Sequence, residues 1–176
     1  QLPFGKVVGL IIKAEVASAF RQLIDSGNVK RLRAADDCRS EYASSIVLAR
    51  DYLQAMRMRE KMKRAMEELY STYDALVAPS LPTVCYPIGI DFDKAYPELD
   101  VLSPESQTTP AIPFPAVISA GNAAGQPALS VPNGFGRNNL PTGIQFTGRA
   151  WSEAKILAIA NLYQQATDWH KQRPPV

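Results

Sequence analysis

The stretch GNAAGQPALSVPNGFGRNNLPTGIQFTG, from Gly121 to Gly148, holds two short apolar runs separated by glycine, asparagine and proline. Gly125 and Pro127 punctuate the chain, ending one element and starting another. Ala128 to Val131 alternates small and β-branched residues, as a strand does, and Thr142 to Thr147 reads as a second strand. Asn133 to Pro141 between them is turn chemistry throughout. The order predicted is helix end, strand, loop, strand.

Working outward, Ala116 to Ala123 predicts a short helix of small residues with Pro115 in its first turn, where a missing N–H costs nothing. Downstream, Ser152 is placed to cap a last helix with Glu153 in its first turn. Ile156, Ile159, Ala160, Tyr163 and Ala166 would face inward, and Pro174-Pro175 would stop the helix. Upstream, Ala75 to Ala78 is an apolar run halted by Pro79, which predicts a buried strand. The longest helical pattern runs from about Ser40 to Tyr73. Its steps through Tyr42, Ile46, Ala49, Leu53 and Met56 shift phase to Met62, Met66, Leu69 and Tyr73, which predicts a bend or break near Arg59. A first helix carries Val7, Val8, Leu10, Ile11, Ala14, Ala17, Phe20, Leu23 and Ile24 on one face and ends at Gly27. Val29 to Asp37, with little apolar periodicity, is a connector or a short helical turn. Helices feeding strands in this way define an α/β protein.

Length and composition bound the function. At 176 residues the chain is read as one domain over 1–176, and its 46% hydrophobic and 20% charged fractions are those of an ordinary globular protein. A net charge of +2 gives no reason to invoke nucleic acid or a membrane surface. Glutamates 60, 67 and 68 interleave with Arg57, Arg59, Lys61, Lys63 and Arg64, so that run is a solvated helix face. No apolar run reaches the roughly 18 residues of a spanning helix, so a cytoplasmic location is the default expectation. Cys38 and Cys85 lack metal-ligand spacing and are read as thiols, with a disulfide as the alternative. Of 14 prolines, eight fall between Pro79 and Pro115, which makes 79–115 an irregular segment packed on the domain.

The search for chemistry returns no complete constellation. His170, beside Trp169 near the end of the last helix, is the only histidine, and nothing places a nucleophile and an orienting acid with it. Asp91, Asp93, Glu98 and Asp100 do not fit a calcium loop, and Pro97 interrupts them, so no metal site is expected. Asn133 to Arg137 lacks the third glycine and the Lys-Ser/Thr of a phosphate cradle, so no cofactor is expected. Ser44-Ser45 sits in a helical pattern with no oxyanion donors nearby. No catalytic residue is assigned within the chain.

Several segments are similar, in order, to landmarks of the amidase signature family: Glu15 with its flanking alanines, Tyr52 to Ala55 with Arg59, and Tyr73 to Pro79. The most specific are Asn122 to Pro132 and Leu140 to Gln145, followed by Gly148-Arg149 and the last helix with Glu153 and Leu157. The chain resembles the carboxyl-terminal part of those amide hydrolases, which include the glutamyl-tRNA amidotransferase A subunit. The resemblance implies an α/β/α sandwich around a mixed sheet, with a serine nucleophile, a bridging serine in a cis peptide and a lysine base. All three lie in a glycine-serine-rich upstream half that this chain does not contain.

What the resemblance leaves here is the opposite wall of a site for a small-molecule amide. Pro79 and Ser80 at a strand end, and Asn122 and Gly125 at a helix end, are the candidate substrate contacts, expected to face one cleft at the carboxyl ends of strands. Starting Gln1-Leu-Pro-Phe-Gly without methionine, the chain is expected to be a piece of a longer protein and inactive alone. Its partners would be the amino-terminal half of the same protein and, through uncovered apolar faces, other copies of itself. Two alternatives stand beside this reading: a tRNA-dependent amidotransferase subunit, and a non-enzymatic interaction module on part of the same fold.

Overall fold

A computed structural model of the chain describes residues 3–32, 44–81, 83–90, 95 and 114–173. The chain divides into two compact units, Gln1–Ala65 and Met66–Val176.

In the first unit, α1 (Phe4–Ala19) and α2 (Arg21–Asp25) follow one another across Phe20. The expected single helix is kinked there, not ended: the Phe20 N–H still bonds Val16 O at 2.9 Å, and its carbonyl accepts from the Ile24 N–H at 3.1 Å. Gly27 closes the segment as expected. Its left-handed φ of 73° is open to glycine without steric cost, and its N–H bonds Ile24 O at 3.0 Å. Ile11, Ile24 and Val29 are buried, while Phe20, expected on the inner face, is exposed.

The long helix, α3, spans Ala49–Thr72, and the second unit begins within it at Met66. The expected break near Arg59 is absent. The inward stripe is Tyr52, Ala55, Arg59, Met62, Met66 and Tyr70, stepping by three and four throughout. Leu53 and Ile46, on which the shifted phase rested, are exposed. Arg59 keeps the stripe continuous because a long aliphatic stem covers surface as an apolar side chain would. Ser44 and the residues to Leu48 precede this helix and lie outside it. The upstream part of the predicted helix falls outside the described residues.

In the second unit, β1 (Leu76–Pro79), β2 (Ala128–Phe135) and β3 (Pro141–Thr147) form a sheet in the order β1-β3-β2. Both pairings are antiparallel, so the parallel pairings of a mixed sheet have no counterpart among the described residues. β1 is an edge strand with alternating burial and an exposed Val77, not the fully buried strand its apolar run suggests. β2 runs four residues beyond the expected Val131. β2 is an edge strand, where a proline is tolerated; Pro132 stays paired with Gly143, a bulge follows it before Gly134, and Thr142 Oγ1 donates to Asn133 Oδ1 at 2.8 Å. The loop is thereby shortened to Gly136–Leu140, where Asn138 and Asn139 take positive φ of 58° and 56°.

Val131 and Phe146 point from one sheet face into a core with Ile156 and Ala160 of α5 (Glu153–Ala166), joined by Leu129, Ile144, Ile159 and Tyr163. Phe146 and Tyr163 meet edge to face at 5.7 Å. Burying side chains of this size contributes about 1.5–3 kcal/mol each. On the other face Tyr70 of α3 donates to Thr147 Oγ1 at 3.1 Å, and both are buried. The sheet thus has helical cover on both sides, the α/β/α layering expected.

Two details of α5 differ from expectation. Ser152 occupies the N-cap position, but its hydroxyl donates backwards to Arg149 O at 2.6 Å and caps nothing. Its φ of −106° and ψ of 30° lie outside the extended region an N-cap needs. The helix ends at Ala166, well before Pro174. There Thr167 turns extended and its hydroxyl bonds Tyr163 O at 2.9 Å, leaving His170 in a separate turn, Trp169–Lys171. Much of the proline-rich segment 79–115, including Asp91, Asp93, Glu98 and Asp100, lies outside the described residues, as does Cys38. Cys85 is an exposed thiol.

Candidate functional site

The four candidate contacts fall into two places. Pro79 ends β1 and pairs with Ile144 of β3, which pairs in turn with Val131 of β2. Ser80, just beyond, donates its N–H to Gly143 O at 2.8 Å and its hydroxyl to Ser130 Oγ at 2.8 Å. Ser80 therefore reaches across the central strand. It can do so because Gly143 lies beneath: a Cβ there would come within 2.9 Å of Ser80 Oγ and 3.3 Å of its Cβ. The result is a row of two hydroxyls on the sheet face opposite Val131 and Phe146.

Asn122 and Gly125 lie elsewhere. The helix α4 (Phe114–Ala124) ends in a Schellman motif, with Gly125 at φ 70° and the Gln126 N–H bonded to Gly121 O at 3.0 Å. The turn then enters β2 at Ala128, whose partner is Thr147, which also pairs with Leu76 at the start of β1. Gly148 N–H to Pro127 O at 3.1 Å ties the turn to that end. The two turns sit at opposite ends of β1, about 10 Å apart along the strand by its rise per residue. The reason is the antiparallel register: β2 starts beside the amino end of β1, not its carboxyl end. α4 itself packs on β1. Asn122 is exposed in its last turn.

Ser130 was not among the sequence candidates. Its signal was present in the alternation, since it lies between Leu129 and Val131 and must point away from the core that they enter. Neither Ser80 nor Ser130 has a lysine or histidine partner among the described residues. Lys155 is committed to Asp74 at 2.7 Å, which holds that carboxyl below its usual value of 3.8, first through the hydrogen bond and then through charge. Lys171 does the same for Asp168 at 2.7 Å. Burial raises the Tyr70 phenol above its usual 10.0, opposed in part by its hydrogen bond with Thr147. No group of three or more metal-ligating side chains occurs among the described residues. No helix there is long and apolar enough to cross a membrane.

Residues 14–157 match the model of the Amidase family. The glutamyl-tRNA(Gln) amidotransferase A subunit of Acinetobacter baumannii is 33% identical over 126 residues, covering 71% of this chain and 23% of that protein. Its counterpart in Bacillus cytotoxicus is 34% identical over 122 residues, 69% and 22% of the two chains. The chain thus spans under a quarter of the length of these curated relatives. Among solved structures, an amidase superposes with a TM-score of 0.71 at 18% identity, over 94% of this chain and 36% of the other. A bacterial aryl acylamidase of the amidase signature family gives 0.68 at 16%, over 97% and 36%. With a family match over most of its length and the same fold in its structural neighbours, the chain belongs to the amidase signature family.

Proposed function

We propose that this chain is the carboxyl-terminal part of an amide hydrolase, in which acyl transfer from a carboxylic amide to a serine is carried out by residues outside these 176. The observation behind this reading is the hydroxyl pair itself. Ser80 and Ser130 face each other at 2.8 Å with no base beside them among the described residues. A serine hydroxyl without a base to take its proton is a weak nucleophile, so the pair serves better as a polar wall than as a reaction centre. Its two oxygens can accept from, and the Ser130 proton donate to, the amide or the leaving group of a substrate held above Gly143. Pro79 would form the rim there. Asn122 and Gly125, at the other end of β1, would contact only a more extended substrate or the amino-terminal half of the protein.

On this reading the chain alone turns over neither acetamide nor an anilide. Turnover by the chain that withstands contaminant controls would refute it, and a Ser80→Ala/Ser130→Ala double variant would then tell whether the pair or another centre in the chain is responsible. The complete protein should carry a glycine-serine-rich segment with a lysine upstream of it, which the gene sequence before Gln1 tests. A second reading, a glutamine-dependent amidotransferase subunit, is favoured by the relatives of 33–34% identity, which are such subunits by name. Preference of the complete protein for glutamine over simple amides, with co-purifying partner subunits, would select it. Self-association fits the exposed Trp151 just before α5 and the exposed Leu157 and Leu162 on it. Sedimentation as a clean monomer would count against it.

A further inference from the structure

The first unit carries a second feature that the amide chemistry does not use. Between α1 and the start of α3 lies a groove of about 450 Å³, in the size range of small-molecule sites. Three small residues, Ala14, Ala19 and Ala49, leave it open, and Glu15, Ser18 and Tyr52 supply its polar groups. The Tyr52 hydroxyl donates to Glu15 Oε1 at 3.2 Å. That bond fixes the carboxylate while leaving its second oxygen and the phenol lone pairs unspent. Glu15 forms no ion pair with a described residue, whereas Arg21 pairs with Asp25 within α2 and Arg50 with Asp51 at the start of α3.

We propose that this groove binds a primary alkylammonium ion. The three oxygens of Glu15, Ser18 and Tyr52 match the three N–H donors of such a group, and the alanines accommodate its apolar stem. Electrostatics favour a cation on balance. Glu15 contributes a full negative charge. Against it stands the partial positive charge at the amino end of α3, where Arg50 and Asp51 pair at 3.5 Å and offset one another. The phenol ring of Tyr52 adds an aromatic face of the kind cations seek. This site is independent of the acyl-transfer reading, and its test needs no turnover.

The probe is n-butylammonium chloride, titrated into the complete chain by calorimetry, with n-butanol and tetramethylammonium chloride as controls. Saturable binding is expected with a Kd of about 1 mM. The alcohol, which lacks the charge, and the quaternary ion, which lacks N–H donors, should bind at least about tenfold more weakly. Glu15→Gln should weaken n-butylammonium about tenfold and Ser18→Ala about threefold, with melting temperatures unchanged because both side chains are exposed. No saturation up to about 50 mM, equal binding of n-butanol, or undiminished affinity in Glu15→Gln would overturn the proposal. If Glu15→Gln were to unfold the chain, undiminished affinity in Ser18→Ala would do so.

Discussion

Gly148 offers the most exacting test of the packing between sheet and last helix. A Cβ at this position would lie 2.5 Å from Ile156 Cδ1, 2.7 Å from Ile156 Cγ1 and 2.6 Å from Ser152 Oγ. None of these atoms can retreat freely. Ile156 is 2% exposed and packed against Val131, Phe146 and Ala160, and the Ser152 hydroxyl is held by Arg149 O at 2.6 Å. Overpacking a filled core costs about 1–3 kcal/mol, and three contacts below 3.0 Å place Gly148→Ala near the upper end. In a chain of this size about 3 kcal/mol lowers Tm by roughly 6–12 °C. The sharper form is a double-mutant cycle with Ile156→Val, which removes the Cδ1 atom of the closest contact. Alone, that change opens a small cavity and costs about 1 kcal/mol. In the Gly148→Ala background it relieves the clash and should instead recover about 1 kcal/mol, a coupling of about 2 kcal/mol. Thermal and urea unfolding of the four proteins measure this. A Gly148→Ala loss below about 0.5 kcal/mol, or an equal Ile156→Val cost in both backgrounds, would refute the packing argument.

Gly125 tests conformation without packing, since a Cβ there meets nothing within 4 Å while φ is 70°. Gly125→Ala should cost about 1–2 kcal/mol and Gly125→Asn clearly less, as read by thermal unfolding. Equal losses would show that space, not backbone, decides. Tyr70→Phe should cost about 1–2 kcal/mol by stranding the buried Thr147 hydroxyl, and a further Thr147→Val should restore part of it. Because burial raises the Tyr70 value, the folded chain holds that proton more tightly than the unfolded one. Its contribution is complete below pH 10.0 and lost as pH rises through the higher folded value, so Tyr70→Phe should flatten the alkaline limb of a stability–pH curve. Asp74 has the opposite sign: its lowered value contributes above pH 3.8, and the contribution fades as pH falls through the folded value. Asp74→Asn and Lys155→Met should each flatten the acid limb, and an effect of only one would break the assigned pair.

Much of the local structure was legible because short-range chemistry governs it. Gly27 and Gly125 end helices in left-handed conformations, and Ile156, Ile159, Ala160 and Tyr163 face a core, because helical period and glycine's freedom act over a few residues. Family membership was legible for a related reason: the Asn122 to Pro132 and Leu140 to Gln145 segments each encode a turn and a strand, and such segments keep their local constraints. Misreadings arose where distant partners intervene. Arg59 looked like a phase break because its stem was not counted as apolar cover. Pro132 reads as a strand end because the edge position that tolerates it is set only by pairing with β3. Ser152 looked like a cap, yet its hydroxyl turns back to Arg149.

The sequence by itself determined the α/β class, the order of the sheet-forming segments and the family. These follow from periodicity, turn residues and ordered motifs, all of which act along the chain. Register was decided only by the tertiary structure. Antiparallel pairing of β1 and β2 on β3 carries Asn122 and Gly125 to one end of the sheet and Pro79 and Ser80 to the other. The same pairing brings Ser130 to Ser80 over Gly143, although 50 residues separate the two serines. Which side chains share a face of one strand is written in a period of two. Which side chains meet across three strands depends on alignment between distant segments, and no local pattern sets it.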